Sequence, residues 1–401
     1  MPSSDFLIIG GGVIGINIAR RLKQLYPDTT VTVLEKEAHC GAHASGRNSG
    51  VLHAGFYYTP DSLKAKFTRI GNRRLTEYCE ASGIPMNKCG KLVVAKNADE
   101  LSGLDELFRR ARVNEIQVQE VSAQEAKAIE PRVKTYERAL YSPTTSTVDP
   151  KLVLKQMTKD AQGEGVHIHC GVRYQSRHSD GVQTDRDLYQ ARYVVNAAGL
   201  FADTIARDYG FSQEYKILPF KGLYLYSNEP PGSFRTNVYP VPDLKNPFLG
   251  VHVTVTAEKK AKIGPTAIPV LWREQYGGLA NFDLGQFCDL SVRQLQLVIG
   301  ADFDFKKLAV QEIRKYSRSH LVSLLSDLVE GVRPEHYQTW GVPGIRAQLV
   351  HTKTKKLEMD FVVQGDDRSL HVLNAISPGF TCSLPFADYV CEKIQTFTNI
   401  R

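Results

Sequence analysis

Two hydrophobic periods alternate along this chain. Phe6-Leu7-Ile8-Ile9 is a continuous apolar run closed by Gly10, Gly11 and Gly12, the pattern of a short buried strand. Ile14, Ile18, Leu22 and Leu25 then recur at helical spacing, and the run stops at Tyr26-Pro27-Asp28. A β-rich run over 30–34 follows and ends at Glu35, which completes one strand–helix–strand unit. Beyond a loop rich in small residues, the pattern predicts helices over 62–82 and 99–112. A third opens on the capping box Ser122-x-x-Glu125 and stops before Pro131, and a fourth, over 151–162, has Asp149 as its cap and Pro150 at its first position. Strands are expected over 91–95, 166–172 and 192–197.

From residue 215 to about 270 the texture changes. Apolar runs over 223–227, 250–256 and 261–264 are split by Pro, Gly and Asn turns, as in an antiparallel sheet. Helices over 290–299 and 313–328, strands over 346–350, 361–364 and 371–373, and a last helix over 381–398 complete the reading. The α/β texture at both ends, around a β-rich middle, predicts a nucleotide domain built from separated segments and interrupted by a second domain.

Composition narrows this further. The chain has 401 residues, 42% hydrophobic and 23% charged, so it is long enough for a sizeable core and too ordinary for a fibrous or disordered chain. The net charge of +7 favours anionic small molecules or an anionic lipid surface and does not argue for nucleic acid. Seven cysteines, an odd number with no C-x-x-C spacing, read as reduced thiols of a cytoplasmic protein rather than a disulfide framework or a metal site. No apolar run approaches the ~20 residues of a spanning helix, and Phe6–Ile9 lacks the basic flank of a signal peptide. Peripheral contact with the inner face of a membrane stays open, with His351-Thr352-Lys353-Thr354-Lys355-Lys356 as a candidate, although a solvated hairpin turn is the simpler reading of that segment.

The glycine turn carries chemistry. Gly10-x-Gly12-x-x-Gly15 stands between a strand and a helix, and Glu35 follows Gly15 by twenty residues at a strand end, the fingerprint of a dinucleotide site. Gly10 permits the turn, Gly12 lets backbone approach a pyrophosphate, and Gly15 lets helix and strand pack. Val13 and Ile14 open the helix whose N–H groups face the phosphates. Glu35, followed by Lys36, can accept both hydroxyls of a ribose, and its charge disfavours a 2′-phosphate. Three features favour FAD over NAD. The loop 41–50 is small enough to run along a long ligand, with Ser45, Arg47, Asn48 and Ser49 facing it. The strands at 166–172 and 193–197 resemble those that complete an adenine pocket, through Val172, Ala198 and Gly199. Ser377, Pro378, Gly379, Phe380 and Thr381 open a helix whose N-terminus can stabilise charge on a reduced ring.

These stretches together resemble the D-amino-acid-oxidase/glycine-oxidase superfamily of FAD enzymes, and within it the L-2-hydroxyglutarate dehydrogenase/oxidase family. The similarity runs through Arg47–Tyr58, 88–92, Tyr239-Pro240-Val241-Pro242-Asp243, 247–252, Gly344-Ile345-Arg346-Ala347-Gln348 and Val372-Leu373-Asn374-Ala375. The loop around Arg47 also resembles glycerol-3-phosphate oxidases. The chain departs from the family at Ser377-Pro378-Gly379-Phe380-Thr381, where Ser-Pro-Ala-Ala-Thr is usual, and matches it loosely over 268–274. The resemblance implies an α/β fold: a discontinuous Rossmann-type FAD domain (1–85, 145–213 and 335–401) with an α+β substrate domain on a mainly antiparallel sheet (86–144 and 214–334).

Oxidising an α-hydroxy acid requires a base for the hydroxyl proton, a hydride acceptor and cations for the carboxylate. His53, at the end of the small-residue loop, is the expected base, since an imidazole titrates near pH ~6.5 and can be neutral at pH 7; the resemblance also puts a histidine beside the flavin at this point. His252 is the alternative base, or a satisfied sheet histidine. Arg346 is the expected carboxylate clamp because its planar fork matches a carboxylate, and the similar segment of glycine-oxidase-like enzymes carries the substrate-binding arginine. Lys221 is a candidate for a second carboxylate, and Tyr57, Tyr58 and Tyr239 for closing the site, although aromatic residues of this kind more often serve an interface or core. No metal site is expected, since His167 and His169 share a strand face without a third ligand. The reading is an FAD-dependent oxidation of an L-2-hydroxy acid, with L-2-hydroxyglutarate foremost and a quinone or oxygen as acceptor. An amino acid or glycerol 3-phosphate as substrate, and a flavin-binding protein without turnover, are the rival readings.

Overall fold

The computed structural model of the chain describes residues 2–243, 248–301 and 305–398. Pro247, which opens one of the family-like stretches, lies outside them. Two eight-stranded sheets organise the molecule. In the first, the buried run Ser3–Ile9 lies between two parallel neighbours, Leu188–Asn196 and Val31–Glu35, and His167–Cys170 extends the latter side. Ser369–Asn374 pairs in parallel with the second half of Leu188–Asn196 and carries the antiparallel strand Val362–Gly365. A hairpin, Tyr174–His178 with Gly181–Thr184, closes the sheet on the first half of the same strand. The hairpin is not foreseen from the pattern, because its first strand is almost wholly exposed and polar and shows no apolar alternation.

The helix Val13–Leu25 covers this sheet. It packs on Pro150–Gly163 and on Gly379–Thr398, which in turn contacts Leu63–Ala81. One large core joins these elements, with Ile8, Ile16, Leu22, Val33, Val195, Phe386 and Val390 at its centre. The caps form as read. Ser122 and Glu125 make the reciprocal capping box of Ala123–Ile129, and Asp149 accepts from the Lys151 N–H at 2.8 Å.

The second sheet runs Tyr337–Trp340, Leu225–Ser227, Ala261–Gly264, His252–Val255, Asn237–Pro240, Lys91–Val94, Arg138–Ser142, Gln119–Ser122. All neighbours are antiparallel except Asn237–Pro240 with Lys91–Val94. The edge strand Tyr337–Trp340 falls within 335–401, the range expected with the nucleotide sheet, yet pairs here with Leu225–Ser227. Between the sheets, Tyr215–Gly222 pairs with Gly344–His351 over its whole length. The single helix expected over 313–328 is two, Phe305–Arg314 and Arg318–Ser326, because Ser317 caps the second by accepting from His320 N–H. The helix expected over 290–299 runs Leu284–Gly300, started by Asp283 accepting from Gln286 N–H.

Candidate active site

A cleft of about 480 Å³ runs from the glycine turn of the first sheet to the strand Gly344–His351. Along its wall the structure gathers residues that are hundreds of positions apart. Gly10, Gly12, Val13 and Ile14 meet Glu35 and Lys36, then Ser45, Arg47, Asn48 and Ser49, then Val172, Ala198 and Gly199. Ser377, Pro378, Gly379, Phe380 and Thr381 line the same cleft, and so do His53 and Arg346. Gly15 does not face it. A Cβ there would meet the Gly10 carbonyl oxygen at 2.0 Å, so this glycine serves the close packing of helix on turn.

The glycines show what the wall is shaped for. Gly12 has φ −78° and ψ 173°, a conformation open to any residue, and a Cβ there would meet only Ser45 Oγ, at 3.1 Å. A Cβ on Gly379 would meet nothing within 4 Å. Neither position needs glycine for its own backbone. Both lie on the cleft wall at helix starts, where a side chain would fill cleft space that FAD would need. Glu35 is also ready. Its Oε2 accepts from Gly11 N–H and its Oε1 from Glu37 N–H, each at 2.9 Å, which fixes the carboxylate and leaves further lone pairs for ribose hydroxyls. These features fit FAD.

Several expected contacts turn inward to brace the loop instead. Ser45 Oγ accepts from Val13 N–H at 2.9 Å. Asn48 donates to Ser45 O at 2.7 Å and accepts from Gly50 N–H at 2.8 Å. Arg47 donates to Ala42 O and lies 4.2 Å over the Tyr276 ring. Lys36 joins Glu37 and Glu274 at 2.5 and 2.6 Å, and His43 bridges Glu37 and Tyr276, so the 274–276 segment is clipped across the loop. Beside it, buried Arg273 forms a bidentate pair with buried Asp203, whose Oδ2 also accepts from Ile217 N–H. Sequence reasoning missed this pair, although an Arg-Glu dipeptide in the loosely matching stretch was its signal.

At the far end of the cleft, Thr381 Oγ1 accepts from His53 N–H at 3.2 Å and reaches Val51 O at 3.3 Å, tying the histidine segment to the start of the last helix. Burial, helped by the positive charges of Lys91 and Arg346, holds the His53 pKa down to about 3, so the ring is neutral at pH 7. Arg346 has no carboxylate partner among the described residues and sits 5.7 Å from the Phe248 ring centroid. His252 lies off the cleft wall. It donates from Nδ1 to Gly250 O at 2.8 Å and stacks at 3.7 Å on Tyr239, which is itself fully buried. Lys221 is also off the wall. Its register partner is Ile345, whereas Arg346 pairs with Phe220, so alternation turns Lys221 to the face opposite the arginine. Lys91, given no role by sequence reasoning, is close enough for its charge to act on His53. Its signal was a lysine opening an otherwise apolar strand.

A glycine-turn nucleotide sheet beside a mainly antiparallel sheet, with a cleft running from the glycine turn to the strand Gly344–His351, defines a flavin-binding oxidoreductase architecture. The family model for FAD-dependent oxidoreductases matches residues 5–393, and the chain belongs to that family. It is 32% identical to the L-2-hydroxyglutarate dehydrogenase of Escherichia coli (strain K12), over 98% of this chain and 93% of that one. It is also 32% identical to the mitochondrial L-2-hydroxyglutarate dehydrogenase of Bos taurus, over 98% and 89%. Among solved structures, the FAD-bound L-α-glycerophosphate oxidase of Mycoplasma pneumoniae shares the fold with a TM-score of 0.78 at 22% identity, covering 100% of this chain and 96% of that one. Glycine oxidase from Geobacillus kaustophilus aligns with a TM-score of 0.69 at 20% identity, over 99% and 95%.

Proposed function

We propose that this protein oxidises L-2-hydroxyglutarate to 2-oxoglutarate. The observation that carries the reading is the end of the cleft, where a neutral, half-buried histidine lies within electrostatic reach of an arginine that has no carboxylate partner among the described residues. The names of the nearly full-length relatives support the same substrate. FAD, held by the residues along this cleft, would supply the hydride acceptor, with a quinone or oxygen as the final electron acceptor. Arg346 holds the C1 carboxylate in bidentate geometry. His53 accepts the hydroxyl proton at a ring nitrogen, and Thr381 fixes the backbone that presents it. His252 and Tyr239, stacked behind, form a wall rather than a second base.

Anaerobic mixing of the yellow protein with L-2-hydroxyglutarate tests the reading. The visible flavin absorbance should bleach. If it persists while glycerol 3-phosphate or an amino acid bleaches it, the substrate assignment is wrong; if no donor does, the protein is a flavin carrier.

Among the described residues no helix is long and apolar enough to cross a membrane. The helix Leu284–Gly300 nevertheless turns an apolar stripe outward. Leu284, Val292, Leu295 and Ile299 are 66, 54, 59 and 76% exposed at helical spacing, while Leu290 and Leu297 are buried on the other side. Leu279, Phe282, Val310 and Ile313 are exposed nearby along the chain. The Lys355 ammonium lies against Gly300, which sets the basic 353–356 turn at one end of the stripe. This combination fits an anionic lipid surface, where a quinone acceptor would be met. The protein should co-sediment with vesicles containing anionic lipid, and the double variant Leu295→Glu/Ile299→Glu should stay in the supernatant. A parent that never pellets with such vesicles removes this part of the reading.

A further inference from the structure

The second sheet buries a lysine without a hydrogen-bond partner. Lys91 opens the strand Lys91–Val94 with 0% exposure, and its Nζ has no acceptor among the described residues. Alternation sends Leu92 and Val94 into the core of the second sheet. It turns Lys91 and Val93 to the opposite face, where Phe56 and Tyr239 pack. Three rings surround the ammonium, with centroids 4.5 Å (Phe56), 4.4 Å (Tyr57) and 5.0 Å (Tyr239) away. Ring faces attract a cation, but they do not replace the acceptors that three N–H donors require. Tyr57 Oη is a second buried polar atom without a partner among the described residues, in the same cage.

The titratable groups that face this layer are His53, His252, Arg346, the phenols of Tyr57, Tyr58, Tyr224 and Tyr239, and the thiols of Cys89 and Cys382, with no carboxylate among them. Burial keeps the Tyr57 phenol protonated and therefore a donor. A buried cation and a buried hydroxyl, both unmet, are costly to a folded chain unless an anion completes them. His53 feels the charges of both Lys91 and Arg346, which puts it within reach of two cations at once. His53 and Arg346 line the cleft and Lys91 does not, so an anion reaching Lys91 from the cleft displaces ring contacts.

Resting on the L-2-hydroxyglutarate reading, we propose that Lys91, helped by the Tyr57 hydroxyl, binds the far carboxylate of the substrate and so selects dicarboxylates over monocarboxylates. Arg346 takes the carboxylate next to the reacting carbon, Lys91 takes the one at the other end of the chain, and His53 serves the hydroxyl between them. Burial holds the Lys91 pKa down to about 7, so the cation is present below that pH and is lost above it. KM for the dicarboxylate should therefore rise as pH climbs above about 7, and KM for a monocarboxylate should not.

The test compares L-2-hydroxyglutarate with L-2-hydroxypentanoate, which has the same chain length and no far carboxylate, on the FAD-loaded protein. Lys91→Met should lose about 10²–10³ in kcat/KM on the dicarboxylate, mostly through KM, and stay within about threefold on the monocarboxylate. Tyr57→Phe keeps the ring cage and serves as the second variant should Lys91→Met fail to fold; it should lose about tenfold on the dicarboxylate alone. Equal losses on both acids, or no loss on either, overturn the proposal. A parent that L-2-hydroxyglutarate does not reduce overturns the functional reading first, and this inference with it.

Discussion

Replacing His53 with glutamine is expected to leave a yellow, folded protein whose flavin is reduced by L-2-hydroxyglutarate about 10²–10⁴ times more slowly. The backbone bond to Thr381 does not involve the ring, so the segment keeps its place. Glutamine can still hydrogen-bond a hydroxyl but cannot take its proton. The pH dependence makes the prediction specific. In the free protein, burial and two neighbouring cations depress the His53 pKa to about 3, so the neutral ring prevails at any higher pH. A bound dianion cancels the repulsion from Lys91 and Arg346, and the pKa must rise. The acid limb of kcat should therefore fall at higher pH than the acid limb of kcat/KM, and the His53→Gln substitution should abolish the kcat limb. Single-turnover reduction measured across pH checks this. A His53→Gln protein as fast as the parent would remove His53 as the base.

Gly12→Val should give a colourless protein that added FAD does not restore, with thermal stability equal to that of the parent stripped of cofactor. Gly12 sits at φ −78°, where valine is at ease, and apart from its chain neighbours the only described protein atom within 4 Å of a new Cβ is the Ser45 hydroxyl, at 3.1 Å. The branched side chain would instead occupy the space over the helix N-terminus that the pyrophosphate needs. Gly15→Val makes the contrasting control. There the Cβ runs into backbone at 2.0 Å, so stability and cofactor should fall together. Calorimetry of both apoproteins beside FAD titration separates the two glycines. A yellow Gly12→Val protein would mean that the ligand approaches elsewhere.

Much of this was legible from local pattern. The first strand–helix–strand unit, the caps at Ser122 and Asp149 and the placement of the cleft residues all depend on short-range signals such as glycine spacing, capping side chains and the carboxylate at a strand end. What was not legible depends on partners far away in sequence. The orientation of Lys221 follows from its register against Ile345, more than a hundred residues on. The hairpin Tyr174–His178/Gly181–Thr184 leaves its first strand nearly bare of apolar residues, so no period marks it. Lys91 reads locally as the polar start of an apolar strand. Only the packing of Phe56, Tyr57 and Tyr239 around it reveals an unmet charge.

The nucleotide sheet takes strands from both halves of the chain, and this has a consequence for biosynthesis. A ribosome makes the glycine turn long before the wall formed by Ser369–Asn374 and the helix start at Gly379. Until then the second half of Leu188–Asn196 lacks its partner and is an open edge inviting wrong pairing. Cofactor loading should thus wait until that wall has been made. Nascent chains halted before residue 369 should bind no flavin and should depend on chaperones, however well their first βαβ unit has formed.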